Sequence, residues 1–240
     1  MKNKKKILVG DNLYSKSANW KFNSEVASVF DKHVSRSVPL YNEAHSLICK
    51  MSDFFVKDNS TIVDIGSSTG TLINKLNSRH SHKKIKLIGI EPEKSMIKKA
   101  KVKNKNSNVK FLNNTIEKIN LPKVDLISSI YTIQFIPPSK RQIVFDKIFK
   151  KLNWGGAFFL FEKVRGPDAR FQDILTATYN DFKHDQGYSH FEIAKKTISL
   201  KGVLEPFSSK ANIDFLKRAG FKDIIIIFKY ICFEGILAIK

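Results

Sequence analysis

The 240-residue chain predicts an α/β fold: a mostly parallel seven-stranded sheet closed by an antiparallel C-terminal hairpin. Three observations carry this expectation. From Thr61 onward, short apolar runs alternate with helix-periodic segments. The first run ends in a glycine-containing turn that opens a helix. The last two runs are separated only by Cys232-Phe233-Glu234, and strands joined that tightly must pair antiparallel.

The elements follow in order. Thr61–Ile65 reads as a strand and Thr71–Asn77 as a helix. Ile85–Ile90 is a second strand, and Lys94–Val102 is a helix with Met96, Ile97 and Ala100 at helical spacing. Val109–Leu112 and Val124–Ile130 are strands three and four. Lys140–Leu152 is a helix with Ile143, Val144, Ile148 and Leu152 on one face. Asn153-Trp154-Gly155-Gly156 is expected to be the turn that ends it, with glycine in the left-handed conformation. Ala157–Phe161 is the fifth strand. Asn212–Ala219, stopped by Gly220, is a helix, and Asp223–Ile231 and Gly235–Ile239 form the hairpin. This is the arrangement of the class I S-adenosylmethionine (SAM) dependent methyltransferase fold, a Rossmann-like architecture. Residues 1–60, with Trp20, Phe22 and Phe30, are expected to form a helical cap over the ligand crevice. Residues 61–240 form the SAM-binding α/β domain, with a charged helical insertion at about 167–205.

Composition narrows the function. Hydrophobic residues make up 42%, enough for a substantial core and against wholesale disorder. No apolar run approaches the ~18 residues that a membrane span needs; the longest candidate, Asp223–Lys240, is broken by Lys229, Glu234 and Gly235. Met1–Lys6 is basic, but only Ile7-Leu8-Val9 follows before Gly10, too short for a signal peptide. These features predict a cytoplasmic protein with no membrane partner. Cys49 and Cys232 lie far apart without CxxC partners, which argues against a disulfide framework. His80 and His82 sit in a Ser/His/Lys stretch that reads as a solvated loop, and no metal site is expected. The net charge of +20 is compatible with a nucleic-acid partner. However, Lys4–Lys6, Lys83–Lys86 and Lys98–Lys105 lack interleaved aromatics, so a generally Lys-rich surface is the preferred reading.

The most informative stretch is Val63-Asp64-Ile65-Gly66-Ser67-Ser68-Thr69-Gly70. Glycine lets a backbone approach a ligand with no Cβ in the way. Glu91, at the tip of the second strand, follows Gly70 at the spacing where a carboxylate can accept both ribose hydroxyls. Glu91-Pro92-Glu93 also places acid before a helix N-terminus, and both roles can hold at once. Asp64 favours SAM over a dinucleotide, because a carboxylate there repels a pyrophosphate but can orient the cationic amino-acid part of SAM.

These stretches resemble the carboxy-S-adenosyl-L-methionine synthase family, from about Asn19 to Lys240. The likeness lies in Trp20–Phe30, Ser35–Tyr41, the glycine turn, Tyr131–Leu152, Gly155–Lys163, Asp181–Ser189 and Ala219–Phe221. The resemblance implies a homodimer, with the cap segment at its interface, that carboxylates SAM using prephenate, in a pathway of tRNA wobble-uridine modification. It implies that Tyr41 contacts SAM, that Gly66, Ser67 and Ser68 line its amino-acid part, that Glu91 takes the ribose, and that Thr115 and Ile116 flank the adenine. The chain departs from the family at four places, two of them Glu91, where the family tends to have aspartate, and Thr115, where it has an acid. Ile130 precedes Tyr131 where the family has asparagine, and Thr197 stands where the family has the arginine that grips the added carboxylate. Lys195, Lys196 and Lys201 are nearby, but lysine lacks the planar fork of arginine.

The leading reading is therefore a SAM-dependent methyltransferase acting on a small molecule, with carboxy-SAM synthesis as the first alternative and an RNA-binding or RNA-modifying protein as the second. Methyl transfer from a sulfonium needs alignment and water exclusion more than a large catalytic apparatus. Tyr131, Tyr41 and Tyr188 are the aromatics expected near the sulfonium. His184 or Glu162 is the candidate general base.

Overall fold

The computed structural model of the protein describes residues 7–105 and 108–240. The basic run Lys4–Lys6 thus lies outside the described residues.

The chain opens with a ribbon not foreseen from the sequence, in which β1 (Ile7–Leu8) pairs antiparallel with β2 (Tyr14–Ser15). Two-residue strands carry no readable period. Asp11 and Asn12 turn the ribbon with φ of 52° and 58°, the left-handed region that Asp and Asn tolerate. Two helices follow, α1 (Ser24–Ser37) and α2 (Tyr41–Met51). Asn23 starts α1 by accepting the Val26 amide on its side chain.

The α/β part runs β3 (Thr61–Ile65), α3 (Thr71–Arg79), β4 (Lys86–Ile90), α4 (Lys94–Lys103), β5 (Val109–Leu112), β6 (Val124–Ile130), α5 (Pro138–Lys151), β7 (Leu152–Lys163). Then come α6 (Ala169–Asp185), α7 (His190–Leu200), α8 (Ser209–Ala219), β8 (Asp223–Tyr230) and β9 (Phe233–Ile239). The seven-stranded sheet has the order β5-β4-β3-β6-β7-β9-β8. Its first five strands are parallel, and β9 is antiparallel to both β7 and β8. Strand order reverses between β3 and β6, and in open α/β sheets that switch point opens a crevice beyond the carboxyl ends of the strands.

Alternate residues of each strand feed two cores. Ile62, Leu126, Phe159 and Phe161 pack with Ile48, Ile73 and Leu76 on one face. Val63, Ile127, Phe158 and Leu160 pack with Val144, Phe145 and Leu216 on the other. Both faces are covered, so these strands read as continuous apolar runs rather than alternating ones. A third cluster joins Val9, Leu13, Trp20, Phe30 and Met96, which seats the N-terminal segment on α4.

Four local expectations need correction. The stretch 153–156 does not form a turn that ends α5, because β7 begins at Leu152, directly after the helix. Gly155, at φ +75°, lies in an irregularity of β7 opposite Val124–Leu126, tied to Lys240 O by its amide at 2.7 Å. The left-handed glycine serves a strand bulge. Ile143 is 63% exposed, because the core-facing stripe of α5 runs through Val144, Phe145 and Ile148. His80 is fully buried, with Nε2 2.7 Å from Ser52 Oγ, rather than in a solvated loop. The C-terminal hairpin turns at Ile231-Cys232, and Phe233 and Glu234 already belong to β9.

Candidate functional site

The turn after β3 is shaped by steric necessity. Gly66 has φ +71°, and a Cβ there would lie 2.2 Å from Thr132 Oγ1. The amides of Gly66 and Ser67 both donate to Ile90 O, at 2.8 and 3.0 Å, which binds the turn to the end of β4. Gly70 caps α3 at φ +76°, where a Cβ would meet Asn104 and Phe111. From α1, Asp31 Oδ1 accepts the hydroxyls of Thr69 at 2.6 Å and Thr71 at 3.0 Å. These bonds and Lys103 hold the Asp31 carboxyl below its ordinary value against the effect of burial.

Glu91 closes the turn from the other side. Its Oε2 accepts the Ser68 amide at 3.0 Å and its Oε1 the Glu93 amide at 2.9 Å. Burial pushes the Glu91 carboxyl up to about 7, against these two amides. Asp64 accepts Ser128 Oγ at 2.7 Å, and burial, with the charge of Glu91 adding to it, raises its carboxyl to about 7.

A cavity of about 710 Å³ opens over this end of the sheet, within the size range of small-molecule sites. Of the residues singled out from the sequence, Tyr41, Asp64, Gly66, Ser67, Ser68, Glu91, Pro92, Ile130 and Tyr131 line it together. Gly70, Thr115, Ile116, His184 and Tyr188 do not. Ile116 is buried in the core under β6, and Gly70 is spent on helix–strand packing. Tyr188 turns away to hydrogen-bond Asp11, and His184 stacks on His190 with centroids 4.6 Å apart. Glu162 is also outside the lining. It accepts the amides of Ile133 at 3.0 Å and Gln134 at 2.8 Å, and burial raises its carboxyl to about 8. That arrangement holds the chain after Tyr131 in place.

The turn places Tyr131 at φ +53°. Its hydroxyl is buried without a hydrogen-bond partner, as is Ser67 Oγ. The Tyr131 and Tyr41 ring centroids are 6.3 Å apart. A tight turn at Gly66 whose packing against Thr132 admits no Cβ, the Glu91 carboxyl, two orphaned hydroxyls and two aromatic rings beside one cavity have the chemistry to hold the parts of SAM. Among the described residues no group of His, Cys, Asp and Glu could hold a metal ion.

Sequence reasoning singled out Lys196 and Lys201 beside Thr197, and all three line the cavity, but it missed the rest of the basic wall. Lys163 from β7, Lys183 from α6 and Lys196 from α7 all line the cavity, and none lies within ion-pair distance of a described acidic side chain. Lys163 and Lys183 both rest on the Tyr179 ring, at 4.2 and 4.4 Å from its centroid. Burial lowers all three ammonium groups, Lys183 to about 8. Lys163 and Lys183 come from elements distant in sequence from Lys196, so no motif could have revealed that they join it. His33 and Trp20, from the N-terminal segment, complete the same wall.

Comparison with known proteins agrees with this fold. The family described as a methyltransferase domain matches residues 62–156. The carboxy-S-adenosyl-L-methionine synthase of Staphylococcus epidermidis is 37% identical over 222 residues, 92% of this chain and 97% of that one. That of Campylobacter jejuni subsp. jejuni serotype O:6 is 39% identical over 235 residues, 96% of this chain and 99% of that one. Among solved structures, human N-acetylserotonin methyltransferase in complex with SAM superimposes with a TM-score of 0.62 at 16% identity, covering 90% of this chain and 55% of that one. A Methanococcus maripaludis protein described as a putative SAM-dependent methyltransferase gives 0.59 at 20% identity, covering 92% and 95%. These two likenesses establish the fold, that of the class I SAM-dependent methyltransferases.

Proposed function

The chain belongs to the carboxy-S-adenosyl-L-methionine synthase family and is a SAM-dependent transferase; from that premise we propose that it carboxylates SAM, with prephenate as donor, rather than methylating a small molecule. One observation carries the choice. Lys163, Lys183 and Lys196 line the same cavity as Glu91 with no acidic partner. The sulfonium of SAM is itself a cation, and like charges gathered in a partly desolvated cavity repel. A methyl acceptor that is neutral leaves this repulsion in place. A dianionic donor, and a product bearing a new carboxylate, remove it. The Thr197 departure then loses its force, because cations reach the cavity from other elements.

In this reading Glu91 accepts the ribose hydroxyls on the lone pairs its two amide partners leave free. Gly66, Ser67 and Ser68, with Asp64 behind them, take the amino-acid end. Pro92 and Met96 form the apolar contact for adenine, since Thr115 and Ile116 do not line the cavity. SAM would supply an activated methyl carbon that loses a proton and bonds to the carboxyl carbon released by prephenate; the ring hydroxyl of the donor leaves with that proton as water, and the remainder becomes phenylpyruvate. The Tyr41 and Tyr131 rings flank the sulfonium, where a ring face favours a cation, and Trp20, Phe22 and Phe30 keep water out.

The assay is direct. Purified protein is incubated with SAM and prephenate, and the nucleoside products are weighed by mass spectrometry. Carboxy-SAM formed only when both are present is the expected result. Formation of S-adenosylhomocysteine with a methylated acceptor, or no carboxylated nucleoside, overturns the proposal.

We further propose a cytoplasmic homodimer whose product serves tRNA wobble-uridine modification. Supporting the dimer, α6 and α7 expose Phe171, Ile174, Phe191 and Ile198, an apolar surface that a second cap segment would cover. Among the described residues no helix is long and apolar enough to cross a membrane.

A further inference from the structure

Asp11 lies between β1 and β2, far in sequence from the glycine turn, yet its buried carboxylate organises one wall of the cavity. Its Oδ2 is 2.5 Å from His33 Nδ1, and it also accepts the Tyr188 hydroxyl. Its Oδ1 accepts from Arg36. An ionised carboxylate only accepts, so His33 Nδ1 carries the hydrogen and Nε2 keeps a lone pair. That lone pair faces Lys196 Nζ at 3.2 Å. Burial, with the nearby charges of Lys196 and Arg36, holds His33 below its ordinary value, which keeps the imidazole neutral and able to accept.

Lys196 is thereby fixed at its tip. One N–H goes to His33, and the ammonium rests on the Trp20 ring, which stacks on His33 with an interplanar angle of 24°. An ammonium has three N–H donors, so even with one turned to the Trp20 ring at least one is left for the cavity that Lys196 lines. The adjacent Thr197 turns its hydroxyl back onto its own helix, donating to Ile193 O at 2.9 Å. A lysine is ordinarily a mobile point charge on a four-carbon stem. Here a hydrogen-bonded chain, Asp11 to His33 to Lys196, removes that freedom.

We propose that Lys196 is the cation that meets a carboxylate of the donor, and that Asp11 and His33 are the positioning residues that aim it. This rests on the reading that the cavity takes an anionic donor. The charged and titratable groups around Lys196 are Asp11 from the ribbon, His33 and Arg36 from α1, Lys183 from α6 and Tyr188 from the α6–α7 loop. Binding requires Lys196 to be protonated, so donor affinity falls as pH rises through its titration. Losing the His33 acceptor destabilises the ammonium and moves that fall to lower pH.

The test is calorimetric titration of prephenate into the protein loaded with S-adenosylhomocysteine, which lacks the methyl carbon and so cannot turn over. Lys196→Met is expected to weaken prephenate at least tenfold while SAM affinity stays within twofold. Lys196→Gln, read the same way, replaces it if the methionine variant does not fold. His33→Phe is expected to shift the fall in prephenate affinity to lower pH, and His33→Gln, which keeps an acceptor for Lys196, to restore much of it; a merely structural role predicts no such shift or rescue. Prephenate affinity unchanged in both Lys196 variants, or a pH profile unmoved in His33→Phe, overturns the assignment alone. Failure of the wild type loaded with S-adenosylhomocysteine to bind prephenate at all overturns the donor reading with it.

Discussion

The amide of Ser68 donates to Glu91 Oε2 at 3.0 Å, so the glycine turn and the acid of the next strand are one structural unit. The carboxylate proposed to take the ribose also sets the conformation of the turn proposed to cradle the amino-acid end.

Removing that acid should therefore damage binding twice. Glu91→Ala strips the ribose acceptor and leaves the Ser68 amide unsatisfied, each worth about 1–3 kcal/mol. SAM affinity in a calorimetric titration should fall by about thirtyfold or more at 1.4 kcal/mol per tenfold. Glu93→Ala, at an exposed position, should change it less than about threefold. Equal losses would remove Glu91 from the ribose role.

The same carboxyl makes SAM binding pH-dependent. Burial raises Glu91 to about 7 in the free protein. Accepting ribose hydroxyls requires the ionised form, so binding must expel a proton below that pH, and affinity drops as pH falls. From about pH 8 to pH 6 the advantage of wild type over Glu91→Gln should shrink by up to roughly tenfold. Parallel profiles for the two proteins would contradict this.

Gly66 tests the cradle sterically. Gly66→Ala places a Cβ 2.2 Å from Thr132 Oγ1 at a φ of +71°. Overpacking plus backbone strain should destabilise by about 1–3 kcal/mol or more and abolish SAM binding. Thr132→Gly in the same chain should return part of the stability by removing the clash, leaving the strain. A Gly66→Ala protein with wild-type melting temperature and affinity would show that the turn is not so constrained.

Tyr131 offers a hydroxyl with no protein partner. Tyr131→Phe should leave the melting temperature of the free protein unchanged or slightly higher, because an unsatisfied buried polar group is removed. If the hydroxyl meets a substrate, turnover should fall several-fold in the same variant. A clear loss of thermal stability would mean the hydroxyl has a structural partner after all.

The sequence alone determined the layered α/β architecture, the parallel strands, the closing hairpin and the glycine turn with its acid. Each of these is written in local signals: apolar runs flanked by turn residues, helical spacing, and a fixed offset from Gly70 to Glu91. Local signals failed where a residue type had more than one use. Gly155 looked like a helix stop and is a strand bulge; Tyr188 looked like a sulfonium contact and is bonded to Asp11 instead. Tertiary structure alone brought Lys163 and Lys183 to one wall with Lys196, and joined Asp11 through His33 to Lys196. Those residues lie on a ribbon, three helices and a strand, and their chemistry exists only once burial strips away water and brings their polar atoms within hydrogen-bonding distance, which no spacing along the chain encodes.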